Sequence, residues 1–193
     1  LYANLYPTSV DKLIFENATF DLGLSARSLL QGATLEYSKL GNQRMAKACL
    51  ELAFSPSSKP ISELWFEFLK FINELGAERN NLYVHGIERD FFEQLVEQSP
   101  LSLDEWSKAG IHQRKLFEEG KVFHSLLESL PSQPTLLLKG RFDYVMSEDQ
   151  IHAYITGNPN TNLITFDKSA HFPHAEEPQK FGLEVIRYVH DEM

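Results

Sequence analysis

The sequence predicts an α/β fold: three parallel strands in one sheet, with a block of helices inserted between the first strand and the second. Three observations predict it. Short, continuous apolar runs stand at residues 12–17, 135–139 and 162–166, the pattern of parallel strands covered on both faces. Helical stretches follow the second and third runs, at about residues 147–155 and 177–190, so the tail reads β-α-β-α. The long stretch between the first two runs, about residues 22–128, instead carries apolar residues at helical spacing.

The elements follow in order. Leu1-Tyr2-Ala3-Asn4-Leu5-Tyr6-Pro7 has neither an initiator Met nor a signal-peptide pattern. It reads as the last turns of a helix, halted near Pro7 because proline disfavours helix in the residue before it. Lys12-Leu13-Ile14-Phe15-Glu16-Asn17 is the first strand, set off by the Pro7-Thr8-Ser9 break. In the helical block, residues 44–54 form one helix. Ile61, Leu64, Trp65, Phe68, Leu69, Ile72 and Leu75 make the face of another behind Pro60. Phe91, Phe92, Leu95 and Val96 mark a third, and Ser102-Leu103-Asp104-Glu105 is a capping box opening a fourth over 106–119. Its Phe-rich faces read as contacts between helices, and a helical block inserted into a parallel sheet is a lid or cap. Pro134 launches the second strand and Gly140 closes it. The turn Gly157-Asn158-Pro159-Asn160 precedes the third. On the last helix Phe181, Val185, Ile186 and Val189 are read as one apolar face. Three strands leave the sheet incomplete. The first would expose an unpaired edge unless another segment or a second copy of the chain covers it.

Composition narrows the function. The 193 residues are 42% hydrophobic and 23% charged, ordinary for a globular protein. No apolar run approaches the roughly 20 residues that span a bilayer. A net charge of −9 argues against nucleic acid and anionic membranes as partners, since both recruit Lys and Arg. Cys49 is the one cysteine, which excludes an intramolecular disulfide framework and suits a reducing, cytoplasmic setting. No cofactor is expected.

Two short segments carry the chemistry. An acid candidate, Asp143, ends Lys139-Gly140-Arg141-Phe142-Asp143, and a base candidate, His171, is central in Ser169-Ala170-His171-Phe172-Pro173. Nucleophilic hydrolysis needs an attacking atom, an imidazole to take its proton and a carboxylate to orient that imidazole. Asp143 follows a strand and a glycine, which aims a carboxylate over the carboxyl ends of the strands, where open α/β sheets place their sites. The other reading of Asp143 is a turn or N-cap aspartate. Asp21 is the alternative acid, while Asp149 and Asp167 read as helix-surface and loop residues. Imidazoles titrate near neutrality, so one in the His171 loop can accept a hydroxyl proton and return it to a leaving group. His171-x-x-His174 suggests a metal pair, but Pro173 and the lack of another ligand cluster argue against it. Glu176 and Glu177 read as first-turn acids favoured by the helix dipole. His85, His112 and His124 fall in the helical block with no assigned role.

These segments resemble the α/β-hydrolase superfamily, in particular cap-bearing members similar to proline iminopeptidases. The family carries a strand followed by Gly-x-x-Asp, then a helix and strand, then Gly/Ala-His-x-x-x-x-Glu-x-Pro. Here these stand as Leu138-Lys139-Gly140-Arg141-Phe142-Asp143 and Ala170-His171-Phe172-Pro173-His174-Ala175-Glu176-Glu177-Pro178, with Phe181 fitting the aromatic that often follows. The opening, from Tyr2 to Ile14, is similar to the helix and strand that follow the family's nucleophile elbow. The resemblance implies the C-terminal part of an α/β-hydrolase parallel sheet with an inserted helical cap. Residues 1–21 would be the end of a core helix plus a strand, 22–128 the cap, and 129–193 the part bearing acid and base.

The resemblance further implies that a Gly-x-Ser-x-Gly elbow lies just before Leu1 and that oxyanion-hole donors come largely from that region. Asp143 would then orient His171, and His171 would activate the Ser for attack on an ester or amide carbonyl. The substrate would be a small molecule or short peptide. In an aminopeptidase-like enzyme, cap acids such as Glu74, Glu78, Glu88 or Asp90 would hold the free amino terminus. Some family members carry Asp at the elbow and open epoxides or remove halides, which these residues do not exclude. Inside the chain, Gly23-Leu24-Ser25-Ala26-Arg27 lacks the closing Gly of an elbow, and Cys49 sits on a helix face as a small buried hydrophobe. The 193 residues alone are therefore expected to lack triad hydrolysis. The exposed first strand is expected to pair with the missing N-terminal segment or with a second copy in a homodimer. A rival reading is a non-enzymatic, hydrolase-like module that binds a ligand or partner through its cap, which the Asp143 and His171 pair fits less well.

Overall fold

A computed structural model describes residues 2–56, 58–87 and 90–190; the side chains of Phe92, Ala109, His112 and Gln113 lie outside the description. Leu13–Glu16 (β1), Thr135–Gly140 (β2) and Thr161–Phe166 (β3) form a parallel sheet in the order β1-β2-β3. Leu13 stands opposite Thr135 and Glu16 opposite Leu138, while Thr135 faces Thr161 and Gly140 faces Phe166. Every residue of β2 is buried, but β1 and β3 are partly open. The apolar runs had suggested strands covered on both faces. Only the middle one is, because the other two flank it.

Alternation along β2 decides what covers the sheet. Leu137 points to one face, where it meets Phe20, Met146, Ile151 and Tyr154. Met146 precedes, and Ile151 and Tyr154 belong to, the crossover helix Glu148–Gly157. Leu136 and Leu138 point to the other face and meet Phe166 and Tyr188. Each fully buried leucine contributes about 1.5–3 kcal/mol. Tyr188 lies on the last helix, Pro178–Val189, with Phe181 and Val185 on the same stripe. The apolar face read from the sequence needs correction here. Positions 181, 185 and 188 keep the i, i+4, i+7 spacing of one stripe, whereas Ile186 and Val189 are 57% and 52% exposed.

At the start of the chain, the short helix Tyr2–Leu5 (α1) gives way to a 3₁₀ turn at Pro7–Ser9. Between β1 and β2 lies a cap of helices. Its first member, Leu22–Lys39 (α2), has no counterpart in the sequence reading. Asp21 caps it, accepting from Leu24 N–H at 2.9 Å. Its buried stripe, Ala26, Leu29, Leu30, Ala33 and Tyr37, keeps helical spacing, but the buried Gly23, Ser25 and Gly32 dilute its apolar contrast. Small residues are required by close neighbours: a Cβ on Gly32 would lie 2.9 Å from the Leu82 side chain and 3.0 Å from the Tyr144 ring. Gln43–Ala53 (α3) and Ile61–Glu74 (α4) pack on α2 around Leu29, Leu30, Cys49, Leu64 and Phe68.

A 3₁₀ stretch, Gly76–Leu82, leads from α4 to the segment 83–85. Phe91–Gln98 (α5) and Leu103–Glu118 (α6) complete the cap, and both halves of the Ser102–Glu105 capping box are formed. Trp65 stacks on Phe117 at 5.9 Å, and Phe66 and Phe123 extend that contact. Aromatic faces of α4 and α6 thus pack helix on helix. Among the described residues, no helix is long and apolar enough to cross a membrane. The elements after α6 continue as α7 (Glu148–Gly157), α8 (Pro173–Glu176) and α9 (Pro178–Val189).

Candidate active site

The carboxyl ends of all three strands converge on one buried amide. Asn17 directly follows β1 and takes a left-handed backbone, φ 42°, which Asn tolerates better than most residues. Its side chain, 1% exposed with the rest of the residue, accepts from Gly140 N–H at 3.0 Å and donates to Ala170 C=O at 2.8 Å. Beyond β2 the backbone keeps pairing toward the loop after β3. Arg141 N–H donates to Phe166 C=O at 2.9 Å, and Phe142 N–H to Ser169 C=O at 3.0 Å. These bonds bring the loop of Asp143 against the loop of His171.

Within its loop, Asp143 is 6% exposed. Its Oδ1 accepts from Val145 N–H at 3.0 Å, and its Oδ2 from Met146 N–H at 2.8 Å. The loop is held from beneath by Lys139, a 4% exposed lysine in β2. The Lys139 ammonium donates to Gly140 C=O at 3.0 Å and Asp143 C=O at 2.7 Å. Burial pulls the Lys139 pKa below the ordinary lysine range, and the charges of Asp143 and Glu148 oppose that pull.

The third partner of the Asp143 carboxylate is His171, whose Nδ1 lies 3.0 Å from Oδ1. An ionised carboxylate can only accept, so Nδ1 facing it carries the proton and a neutral imidazole then presents Nε2 as acceptor. The His171 ring lies edge-on to Phe172 at 4.9 Å and to Tyr83 at 6.0 Å. Burial pushes the Tyr83 phenol up to about 12, so it stays protonated at neutral pH. One carboxylate thus holds its own turn and meets the His171 ring at once.

No protein-family model matches the sequence, and no curated protein matches it. Solved structures do. VinJ aligns over 98% of this chain with a TM-score of 0.50 at 16% identity. Proline iminopeptidase from Mycobacterium smegmatis aligns over 98% with a TM-score of 0.49 at 14% identity. MGS-M2, an α/β hydrolase enzyme from a Medee basin deep-sea metagenome library, aligns over 97% with a TM-score of 0.46 at 16% identity. The fold is that of the α/β-hydrolases. The chain spans about 60% of the length of these hydrolase-fold structures, and at such identities the likeness is one of fold.

In this α/β-hydrolase fold the remaining candidates fall as follows. Asp21 serves as the α2 cap. Asp149 is exposed in the first turn of α7, and Asp167 pairs with Arg141 at 2.6 Å. Ser25 lies inside α2, donating to Val145 C=O at 2.7 Å and accepting from Gln150 at 3.1 Å, so it ties the cap to the acid loop. Cys49 is fully buried. His174 pairs with Glu16 at the end of β1, Nδ1 to Oε1 2.8 Å, and no group of three metal-ligating side chains occurs among the described residues.

His85 stacks on Phe142 at 3.7 Å, while His124 lines an apolar hollow with Thr19, Phe20 and Phe117. Glu78 accepts from Asn81, and Asp90 from Gln94. Glu74 borders Arg44 and Lys70. Glu88 and the His112 side chain lie outside the described residues.

Glu176 and Glu177 differ most from expectation. As first-turn acids they would face solvent at a helix start. Instead both carboxylates turn back onto the His171 loop: Glu177 accepts from Lys168 N–H at 2.9 Å and Ser169 Oγ at 2.7 Å, and Glu176 from Ala170 N–H at 2.8 Å. The tight turn between α8 and α9 brings them there. The Glu-x-Pro spacing was their one sequence signal; Asn17 and Lys139 gave none.

Proposed function

We propose that Asp143 and His171 are the acid and base of a Ser-His-Asp triad that hydrolyses an ester or amide bond. The nucleophile is supplied from outside these 193 residues. The observation that carries this reading is the 3.0 Å contact between Asp143 Oδ1 and His171 Nδ1, with the carboxylate already fixed by two backbone N–H groups. Nε2 of His171 takes the proton of the attacking hydroxyl as its oxygen bonds to the carbonyl carbon. Asp143 holds the tautomer and stabilises the imidazolium, which returns the proton to the departing alcohol or amine. Water then repeats the cycle on the acyl intermediate.

The substrate is a small molecule or short peptide, and an aminopeptidase-like activity is the narrower form of the proposal. On the same reading, the segment bearing the nucleophile pairs with the outer edge of β1, and the 193-residue chain alone lacks triad hydrolysis.

The test is to recover the upstream coding sequence, express the longer protein and label it with a fluorophosphonate. The expected result is labelling of a Ser in Gly-x-Ser-x-Gly, abolished by His171→Gln. Labelling untouched by that substitution, or an elbow without a nucleophile, overturns the reading; Asp at the elbow redirects it to epoxide or halide substrates.

A further inference from the structure

Glu176 makes no contact with Asp143, yet its carboxylate reaches the backbone on both sides of His171. Its Oε2 accepts from Ala170 N–H at 2.8 Å and from Phe172 N–H at 3.2 Å. Its Oε1 accepts from His85 N–H, across the seam in the cap. The N–H of His171 itself crosses the same seam to Tyr83 C=O at 2.9 Å. Three consecutive N–H groups of the base loop are thereby held, two by Glu176 and one by the cap segment 83–85. That segment reaches the acid loop too, since the His85 ring stacks on Phe142 at 3.7 Å.

A carboxylate in this half-buried position loses hydration, and N–H bonds to a charged acceptor offset that cost. Burial raises the Glu176 pKa above the ordinary glutamate range, while the backbone N–H groups of His85, Ala170 and Phe172 pull it back. A residue serving only the helix dipole would need none of these contacts.

We propose that Glu176 is a positioning residue for His171, which makes seating of the cap segment 83–85 and alignment of the imidazole with Asp143 one event. The proposal rests on the reading of His171 as the base. Any displacement of the cap segment at Tyr83 and His85 then reaches the imidazole through one side chain. Substrate moving the cap would adjust the base without touching it.

The test uses the 193-residue chain and its Glu176→Ala and Glu176→Gln variants, read by NMR. One readout is amide exchange at His85, Ala170 and Phe172; the other is the low-field Nδ1 proton of His171. In Glu176→Ala, exchange at all three amides should rise about tenfold or more, as for loss of bonds to a charged acceptor, and the Nδ1 signal should broaden. Glu176→Gln keeps one acceptor oxygen and should show both changes in weaker form. It decides the matter if the alanine variant does not fold. Amides released with an unaltered Nδ1 signal would reduce Glu176 to a structural residue. Continued protection of His85 would break the proposed link to the cap. Absence of the Nδ1 signal in the parent chain would instead count against the triad, and the amides would still decide the coupling.

Discussion

Gly140 stands so close to Ala170 that a Cβ added to it would lie 1.8 Å from the Ala170 carbonyl oxygen. The Asp143 loop and the His171 loop meet there through bare backbone. That approach allows Asp143, three residues on, to reach His171 at 3.0 Å. Gly140→Ala should therefore cost about 3 kcal/mol or more, the upper reach of overpacking. Urea unfolding measures it, and a loss below about 1 kcal/mol would contradict so close an approach.

Asn17 is the second link between these loops. Asn17→Ala leaves Gly140 N–H and Ala170 C=O buried without their partner. At about 1–3 kcal/mol for each stranded group, the expected loss is about 2–6 kcal/mol. Asn17→Asp keeps an acceptor for Gly140 but sets a second oxygen against Ala170 C=O, so it should lose stability as well. Thermal melts of both variants check this, and parent-like melting of the alanine variant would remove Asn17 from the link.

Glu176 gives a pH dependence of defined sign. Its pKa is raised on folding, with burial the largest cause, so the folded chain holds this proton more tightly than the unfolded one. Its contribution to stability is full below the ordinary value of 4.5 and is lost as pH rises through the raised value. Unfolding free energies of parent and Glu176→Gln, compared across the acid range, should show the parent losing ground as pH increases and then levelling. A parent advantage that grows through that window would contradict the shift.

Cys49 should be chemically silent. It lies fully buried on α3, and burial, aided by the charge of Glu74, pushes its thiol up to about 12. Thiolate is the reactive form. The native chain should react with Ellman's reagent only as slowly as it unfolds, with a burst on addition of urea. Fast reaction without denaturant would place the thiol elsewhere.

Much of the fold was legible because its signals are local. The β2 run is apolar and bounded by Pro134 and Gly140, and it forms the buried strand Thr135–Gly140. The Ser102–Glu105 capping box forms as read, since both partners sit within one turn. Helix α2 escaped the sequence reading: Ala26, Leu29, Leu30, Ala33 and Tyr37 are buried at helical spacing, but the glycines and serines among them dilute the apolar contrast. The last helix shows the converse, with Ile186 and Val189 apolar but exposed.

By itself the sequence determined the strand and helix pattern, and it put Asp143 and His171 just past the ends of β2 and β3. Period and punctuation act within a few residues, so they can be read along the chain. Only the tertiary structure decided what holds those two side chains together. Asn17 finds its partners 123 and 153 residues away, and Glu176 meets a cap residue 91 positions earlier. Lys139 lies under a turn that exists only once the sheet has formed. Such contacts depend on where separate segments come to rest, and no local spacing encodes them.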